Sequence, residues 1–334
     1  MKCKVKMNFF PKTIIVTGPT ATGKTALAVA LAERFGGEII SVDSRQVFRG
    51  MDIGSGKDLA EYGKVPYHLI DVAEPGEAYD LYSFVRDARS ALADIAERRK
   101  LPILCGGSVL YLDALLKGYK LEGAKPDMEL RTKLDELSLA ELNSRLDELS
   151  PPDLAEFKDR DNPLRVRRAI ENTLSTGRAV SLNSEDGLLA NALVLGVYYP
   201  RKTVHERVEK RLDARLQAGM IDEIRDLHEK QNVPWAVLER YGLEYRHVSE
   251  YLQGKCDYAL MRNTLLYSIR KFVKRQDIWF RKLERENVDI HWVENGCVET
   301  AAALTEKFLK GDPLPPGSIK LSETFYGTQS SKNH

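Results

Sequence analysis

The sequence predicts an α/β protein, a parallel sheet core interrupted by a helical insertion, and three observations carry that prediction. Short apolar runs alternate with amphipathic helical segments such as 83–98: the runs are 13–17, Glu38-Ile39-Ile40-Ser41-Val42, Tyr67-His68-Leu69-Ile70, Leu101-Pro102-Ile103-Leu104 and, much later, Ala192 to Tyr198. Residues 119–189 offer no convincing strand, many charges, and leucines at helical spacing, Leu130, Leu134 and Leu137. The first apolar run opens into a glycine-rich loop and an alanine-rich helical pattern, the succession in which phosphate-binding sheets begin. The expected organisation is a core of 1–118 and 190–312, a helical insertion of 119–189, and a polar tail of 313–334, predicted to be disordered from 317. From about 201 to the tail the core reads as helical.

Taken in order, Thr13-Ile14-Ile15-Val16-Thr17 reads as a buried strand, and GPTATGKT follows at 18–25, with Gly18, four residues, then Gly23, Lys24 and Thr25. Glycines let the backbone wrap an anion, and amides at the start of the following helix point at it. Lys24 adds a point charge, and the Thr25 hydroxyl is placed to ligate Mg²⁺. Leu27, Ala30, Leu31 and Arg34 give residues 26–35 helical spacing. The context disfavours an ordinary glycine turn. A P-loop NTPase-like core is expected, with Gly18, Pro19, Thr20, Ala21, Thr22, Gly23, Lys24 and Thr25 around a polyphosphate, whose identity the loop alone leaves open.

Asp43 falls at the carboxyl end of the second run, the edge where ligands bind in parallel sheets. An acid there can ligate Mg²⁺, act as a general base, or cap the next helix, and in isolation the cap is favoured.

The bulk numbers narrow the classes. The 334 residues carry a net charge of +1, so nucleic-acid binding must come from local patches. Cys3, Cys105, Cys256 and Cys297 lack CxxC spacing and read as free thiols, not a zinc site or disulfide framework. The basic start, MKCKVKMNFFPK, has no apolar signal core, and no apolar run is long enough to span a membrane, which makes the cytoplasm the expected compartment.

Two segments are locally basic. In 161–177, Asp161 or Asn162 can cap a helix with Pro163 in its first turn and Gly177 at its end. Val166, Ile170 and Leu174 form its expected buried stripe; Arg165 and Arg168 share another face, with Arg167 on the flank. In IRKFVKRQDIWFRKLER, 269–285, Ile269, Phe272, Val273, Phe280 and Leu283 line one face. Arg270, Lys274, Arg281 and Arg285 line another, with Lys271, Arg275 and Lys282 beside them. Gln276 interrupts the apolar stripe, which points to a hydrogen-bonding role rather than packing. Taken alone, 161–177 reads more readily as a solvated face than as an RNA site, whereas the 269–285 ridge suits a tRNA phosphate backbone, with Trp279 or Phe280 either near an unstacked base or in the core.

The ordered set GPTATGKT, DSRQVFRGMDIGSGK (43–57), VPYHLIDV (65–72), LPILCGGSVLY (101–111), DNPLRVRRAIE (161–171), HERVEKR (205–211) and KRQDIWFR (274–281) resembles the tRNA dimethylallyltransferase family over roughly residues 13–295. The resemblance implies transfer of a dimethylallyl group from dimethylallyl diphosphate to the exocyclic amine of the adenosine 3′ of a tRNA anticodon. The loop would then hold a diphosphate that leaves, with Mg²⁺ as cofactor. The resemblance further implies Asp43 as the base for the amine, Thr25 and Arg211 at the diphosphate, and Ser44, Arg45, Gln46 and Ser108 near the target base. Contacts to the tRNA would extend to Arg131, Leu164, Arg165, Val166, Arg167, Arg168, Lys274, Arg275, Gln276, Asp277, Ile278, Trp279, Phe280 and Arg281. Arg211 alone reads as a surface helix arginine; only the resemblance lifts it above that.

The chain departs from the pattern at Phe48, at Ser55-Gly56, and at GLEYR, 242–246. No Cys/His pair follows Cys297, so the implied relatives are those without a C-terminal zinc finger. The expected partners are the tRNA anticodon stem-loop and dimethylallyl diphosphate, met by a monomer. Three other classes compete: a small-molecule P-loop kinase, an isopentenyltransferase acting on free adenine nucleotides, and a non-catalytic RNA-binding P-loop protein. A kinase leaves DSRQVFRGMDIG and KRQDIWFR unexplained, and a free nucleotide needs neither the insertion nor the basic 270–285 ridge.

Overall fold

The structure, a computed structural model, describes residues 11–119, 127–179, 187 and 191–323. One compact unit comprises the chain up to Leu116 and from Leu188 onward; a second comprises Lys117–Gly187.

The first unit is built on six parallel strands in the order β3-β2-β4-β1-β5-β6. These are β1 (Thr13–Thr17), β2 (Gly37–Val42), β3 (Tyr67–His68), β4 (Leu101–Gly106), β5 (Ala192–Tyr198) and β6 (Ile290–Glu294). All five residues of β1 and all six of β2 are buried, as strands covered on both faces require. Helices α1 (Lys24–Phe35), α2 (Leu81–Glu97) and α3 (Val109–Lys117) alternate with the first strands. Asp80 starts α2 by accepting a hydrogen bond from the Ser83 amide at 2.9 Å. The second unit holds α4 (Met128–Asp135), α5 (Leu139–Leu149) and α6 (Pro163–Thr176). The first unit then resumes with α7 (Arg201–Gln217), α8 (Met220–Glu229), α9 (Trp235–Tyr241), α10 (Leu243–Leu252), α11 (Tyr258–Arg285) and α12 (Val298–Lys310).

Among the described residues, two apolar clusters stabilise that unit. One joins α1 and α12 to the sheet through Ile14, Val16, Leu27, Leu31, Ile103, Leu195 and Ala301. The other gathers α7 to α11 around Val208, Leu212, Ile224, Tyr245, Leu265 and Val273, and takes in Val47, Phe48 and Met51. That second cluster anchors the loop after β2. Connections leave β1 and β4, which are neighbours, toward opposite sides of the sheet, so a crevice opens at their carboxyl ends.

Three expectations need correction. The region after 201 is not wholly helical: Ile290–Glu294 pairs with β5 as an edge strand. Its His291 and Glu294 break up the apolar run that would have advertised it. The tail is ordered at its start, where Leu321 is buried and the amides of Leu321 and Ser322 donate to the Glu284 carboxylate at 3.1 and 2.6 Å. The remainder of the tail, 324–334, lies outside the described residues. Leu174 is half exposed, because Gly177 ends α6 within a turn of it and the buried stripe stops at Thr173.

Candidate active site

The phosphate loop takes its shape from backbone that few residues adopt. Gly18 and Gly23 have φ of 144° and 85°, and Ala21 between them has φ of 62°. A Cβ on Gly18 would sit 2.9 Å from the Val197 carbonyl oxygen, so β5 passes too close for any side chain. Thr22 ties the loop with a hydrogen bond from its hydroxyl to the Pro19 carbonyl at 2.8 Å, and Arg207 donates to the Ala21 carbonyl at 2.7 Å. Helix α1 starts at Lys24 with no side-chain cap at Gly23. Its first amides therefore have no side chain competing with an anion.

Gln276 holds this loop from α11. Its Oε1 accepts from the Thr20 amide and its Nε2 donates to the Gly107 carbonyl, both at 3.0 Å. The polar break in the apolar stripe is thus a bridge between the phosphate loop and the paired glycines at the carboxyl end of β4. Backbone leaves no room for a side chain at Gly106, and one at Gly107 would displace the Gln276 amide. A Cβ on Gly106 would run into the Val42 backbone, and one on Gly107 would lie 2.6 Å from the Gln276 amide nitrogen.

Asp43 leaves the end of β2, and its Oδ1 accepts from the backbone amides of Arg45 at 2.8 Å and Gln46 at 3.4 Å. The capping role is therefore real, and it occupies one carboxylate oxygen. Ser108 Oγ accepts from the Ser44 amide at 3.0 Å, pinning the loop after β2 to the loop after β4. Arg45 donates to the Tyr241 carbonyl at 2.8 Å and lies 5.2 Å above that ring. Gln46 bonds inward, donating to the Gly56 carbonyl at 3.1 Å and accepting from the Ser41 hydroxyl at 2.7 Å. Its task is to shape the loop.

These residues line one cleft of about 1070 Å³, mouth included. Thr20, Lys24 and Thr25 contribute to it along with Asp43, Ser44, Arg45, Gln46, Ser108 and Arg211. Lys24 donates to the Pro19 carbonyl at 2.8 Å. Burial lowers its pKa to about 8, with neighbouring Arg211 adding to the shift. Burial likewise pushes the Cys105 thiol up to about 12, so it stays protonated beside Lys24. Arg211 donates to Asp58 at 2.9 Å. Thr25 and Asp43 offer the hard oxygen donors that suit Mg²⁺, an ion that commonly takes one or two protein oxygens and completes its shell with substrate phosphate and water.

Further residues of this wall were assigned no role from sequence. Arg215, Glu244, Tyr241 and Tyr62 all line it. The spacing of Arg215, one turn after Arg211, was the available signal. The other three come from chain segments with no phosphate-binding pattern.

On α11, Lys271, Lys274, Arg275, Lys282 and Arg285 are exposed, and Ile278 is exposed among them. Arg281 and Trp279 are half-buried, the latter 5.3 Å from the Phe280 ring. Arg270 is not a free ridge residue, because it donates to Glu209 at 2.8 Å. Phe280 is fully buried, edge-on to Trp292 at 5.4 Å, and so is core rather than a stacking surface. Asp277 lines a separate small cavity with Arg201 and Trp292.

In the second unit, Val166 is fully buried in a cluster with Leu142, Leu146 and Ile170 and cannot touch a partner, whereas Leu164 is exposed. Arg131 and Arg168 both donate to Glu171, at 3.0 Å from Arg131 Nη2 and 3.0 Å from Arg168 Nη1. Burial raises the Glu171 carboxyl, but the hydrogen bonds from these two arginines outweigh it and the net shift is downward. Arg165 pairs with Asp159 and Arg167 with Asp135.

Comparison with known proteins settles the relationship. Residues 46–283 match the family model described as IPP transferase, and residues 11–64 match the one described as isopentenyl transferase. A tRNA dimethylallyltransferase 2 from Trichlorobacter lovleyi is 45% identical over 293 residues, 87% of this chain and 94% of that protein. The chain belongs to the tRNA dimethylallyltransferase family. A second member, from Treponema pallidum, is 43% identical over 85% of this chain and 92% of its own. Among solved structures of the family, the tRNA isopentenylpyrophosphate transferase of Bacillus halodurans is 29% identical, with TM-score 0.64, covering 90% of this chain and 97% of that one. A eukaryotic dimethylallyltransferase acting on tRNA shares the fold at TM-score 0.75 and 23% identity, over 91% of this chain and 81% of that one. At the departures from the family pattern, Phe48 is buried 4.9 Å from the Tyr241 ring, while Ser55, Gly56 and Glu244 all line the cleft.

Proposed function

We propose that this chain transfers the dimethylallyl group of dimethylallyl diphosphate to the N6 amine of the adenosine 3′ of the anticodon in tRNA, releasing diphosphate. The observation that carries the reading is the shared wall: Lys24 and Thr25 line the same cleft as Asp43, so an anion site and a carboxylate face one space. The N6 nitrogen attacks the allylic carbon as its bond to the diphosphate oxygen breaks, and the amine proton passes to the Asp43 carboxylate. Lys24, Arg211 and the uncapped amides of α1 hold the charge that gathers on the departing diphosphate. Mg²⁺, held through Thr25, would supply further neutralisation of that charge. Ser44 and Ser108, hydrogen-bonded to each other, hold the loop that faces the base. The adenosine must leave its stack to reach Asp43. The exposed lysines of α11 and the arginines of the insertion supply the contacts to tRNA phosphates. No described helix is long and apolar enough to cross a membrane; a cytoplasmic monomer is the working form we propose.

The test is mass spectrometry of tRNA incubated with the protein, Mg²⁺ and dimethylallyl diphosphate, with AMP in parallel. A dimethylallyl mass increase on the adenosine next to the anticodon is expected. Modified AMP with untouched tRNA would move the activity to free nucleotides. ATP turnover with neither product would put the small-molecule kinase reading in the lead.

A further inference from the structure

The two departures from the family pattern that border the cleft, Ser55-Gly56 and GLEYR, meet in space at a side chain that no motif contains. Arg215 lies one helical turn beyond Arg211 on α7, so both guanidinium groups leave the same face of that helix. Both line the cleft with Lys24 and Thr25. Gly56 makes room for them: its φ is +66°, and a Cβ there would run into the Nη2 atoms of both arginines.

The partners of Arg215 are few. Its Nη1 lies 3.5 Å from Oε1 of Glu244, in the first turn of α10, and each of the two side chains is 14% exposed. Its Nη2 is buried with no hydrogen-bond partner. A guanidinium carries five donors, and one largely withdrawn from solvent, with a buried unpartnered Nη2 and a single long contact, is undersatisfied. Lys57 shows how this protein treats a buried cation that is purely structural: its ammonium donates to the Phe48 carbonyl, Asp52 and Asp71, three acceptors for three donors. Arg215 lacks such a set, and it faces a cleft suited to an acceptor-rich anion.

We propose that Arg215 is a second guanidinium ligand for the diphosphate, held by Glu244 until the anion engages it. The inference rests on the diphosphate reading of the cleft given above. Arg211 and Arg215 then grip the anion from the α7 side while Lys24 and the loop amides hold it from the other. Glu244 is the positioning residue, and its carboxylate competes with the diphosphate for the same donors.

Inorganic pyrophosphate with Mg²⁺, titrated calorimetrically into the full chain, is the probe. In Arg215→Met, affinity is expected to fall about tenfold, with part of it recovered in Arg215→Lys. The KM for dimethylallyl diphosphate should rise in parallel, with the salt slope of tRNA binding unmoved. Glu244→Gln removes the competing charge and should tighten pyrophosphate binding. Unchanged affinity in a folded Arg215→Met protein, or weaker binding in Glu244→Gln, would overturn the proposal while leaving the diphosphate site in place. If Arg215→Met fails to fold, Glu244→Gln decides alone: tighter binding supports the proposal and equal or weaker binding ends it. A wild-type protein that binds no pyrophosphate would remove the diphosphate reading itself, and this inference with it.

Discussion

The cations of the cleft and those of the insertion are the same residue types under opposite conditions. Lys24 and Arg215 are half-buried and sparsely served, with one carbonyl for the first and one long carboxylate contact for the second. Arg131, Arg165, Arg167 and Arg168 each already hold a carboxylate within their own unit. The difference separates two kinds of phosphate recognition. A desolvated, underpartnered cation gives a strong and localised attraction to an anion that enters the cleft. A paired surface arginine must exchange one acceptor for another, so its net gain from an RNA phosphate is small. The exposed lysines of α11 stand between these cases.

Four experiments probe that contrast, in order of expected effect. Asp43→Asn keeps the Oδ1 acceptor for the Arg45 and Gln46 amides but removes the base. Turnover should fall by about 100-fold or more, with tRNA affinity within a factor of about two. Unchanged turnover would remove Asp43 from catalysis. Lys24→Met should raise the KM for dimethylallyl diphosphate by about tenfold or more.

The same lysine sets a pH dependence. With its pKa lowered to about 8, it is charged below that pH and loses its proton as pH rises through it, so wild-type kcat/KM should decline on the alkaline side. Lys24→Met should lack that limb, and a variant that retained it would assign the limb to another group. For folding the sign is reversed: the buried charge costs stability below about pH 8 and the cost is relieved as pH climbs from there toward 10.5.

On α11, Lys271→Gln with Lys274→Gln should flatten the plot of log affinity for tRNA against log salt by about 0.7 to 0.9 for each phosphate that is no longer neutralised. An unaltered slope would place the tRNA elsewhere. Arg165→Gln should do least, changing thermal stability by less than about 1 kcal/mol and tRNA affinity less than the α11 pair does. A fall in tRNA affinity as large as that of the α11 pair would show that the insertion arginines surrender their carboxylates to RNA, and the contrast between the two regions would dissolve.

What the sequence made legible follows the same line. Strands with both faces buried show as continuous apolar runs, which is why β1, β2, β4 and β5 were readable, and the phosphate loop writes its backbone demands as glycines. The edge strand β6 was not readable, since His291 and Glu294 interrupt it, and a five-residue segment gives periodicity little to work with. Gln276 was singled out because a polar residue in an apolar stripe demands partners, and two were found. Phe280 and Val166 were misassigned because a motif names a segment, whereas exposure depends on which side of the helix each residue occupies. Nor does sequence disclose what an arginine already holds, so Arg270, paired with Glu209, read as part of the ridge.

Gln276 has one more consequence, which concerns the directionality of its amide. Its oxygen must face the Thr20 N–H and its nitrogen the Gly107 carbonyl, an orientation that no carboxylate reproduces, because glutamate would set two acceptors where one donor is needed. The bond also takes the Thr20 amide out of circulation. In the proposed complex the diphosphate is then left to the amides nearer α1, beside Lys24. A single neutral side chain, reaching in from a helix whose outer face is basic, thus narrows the set of loop amides open to an anion.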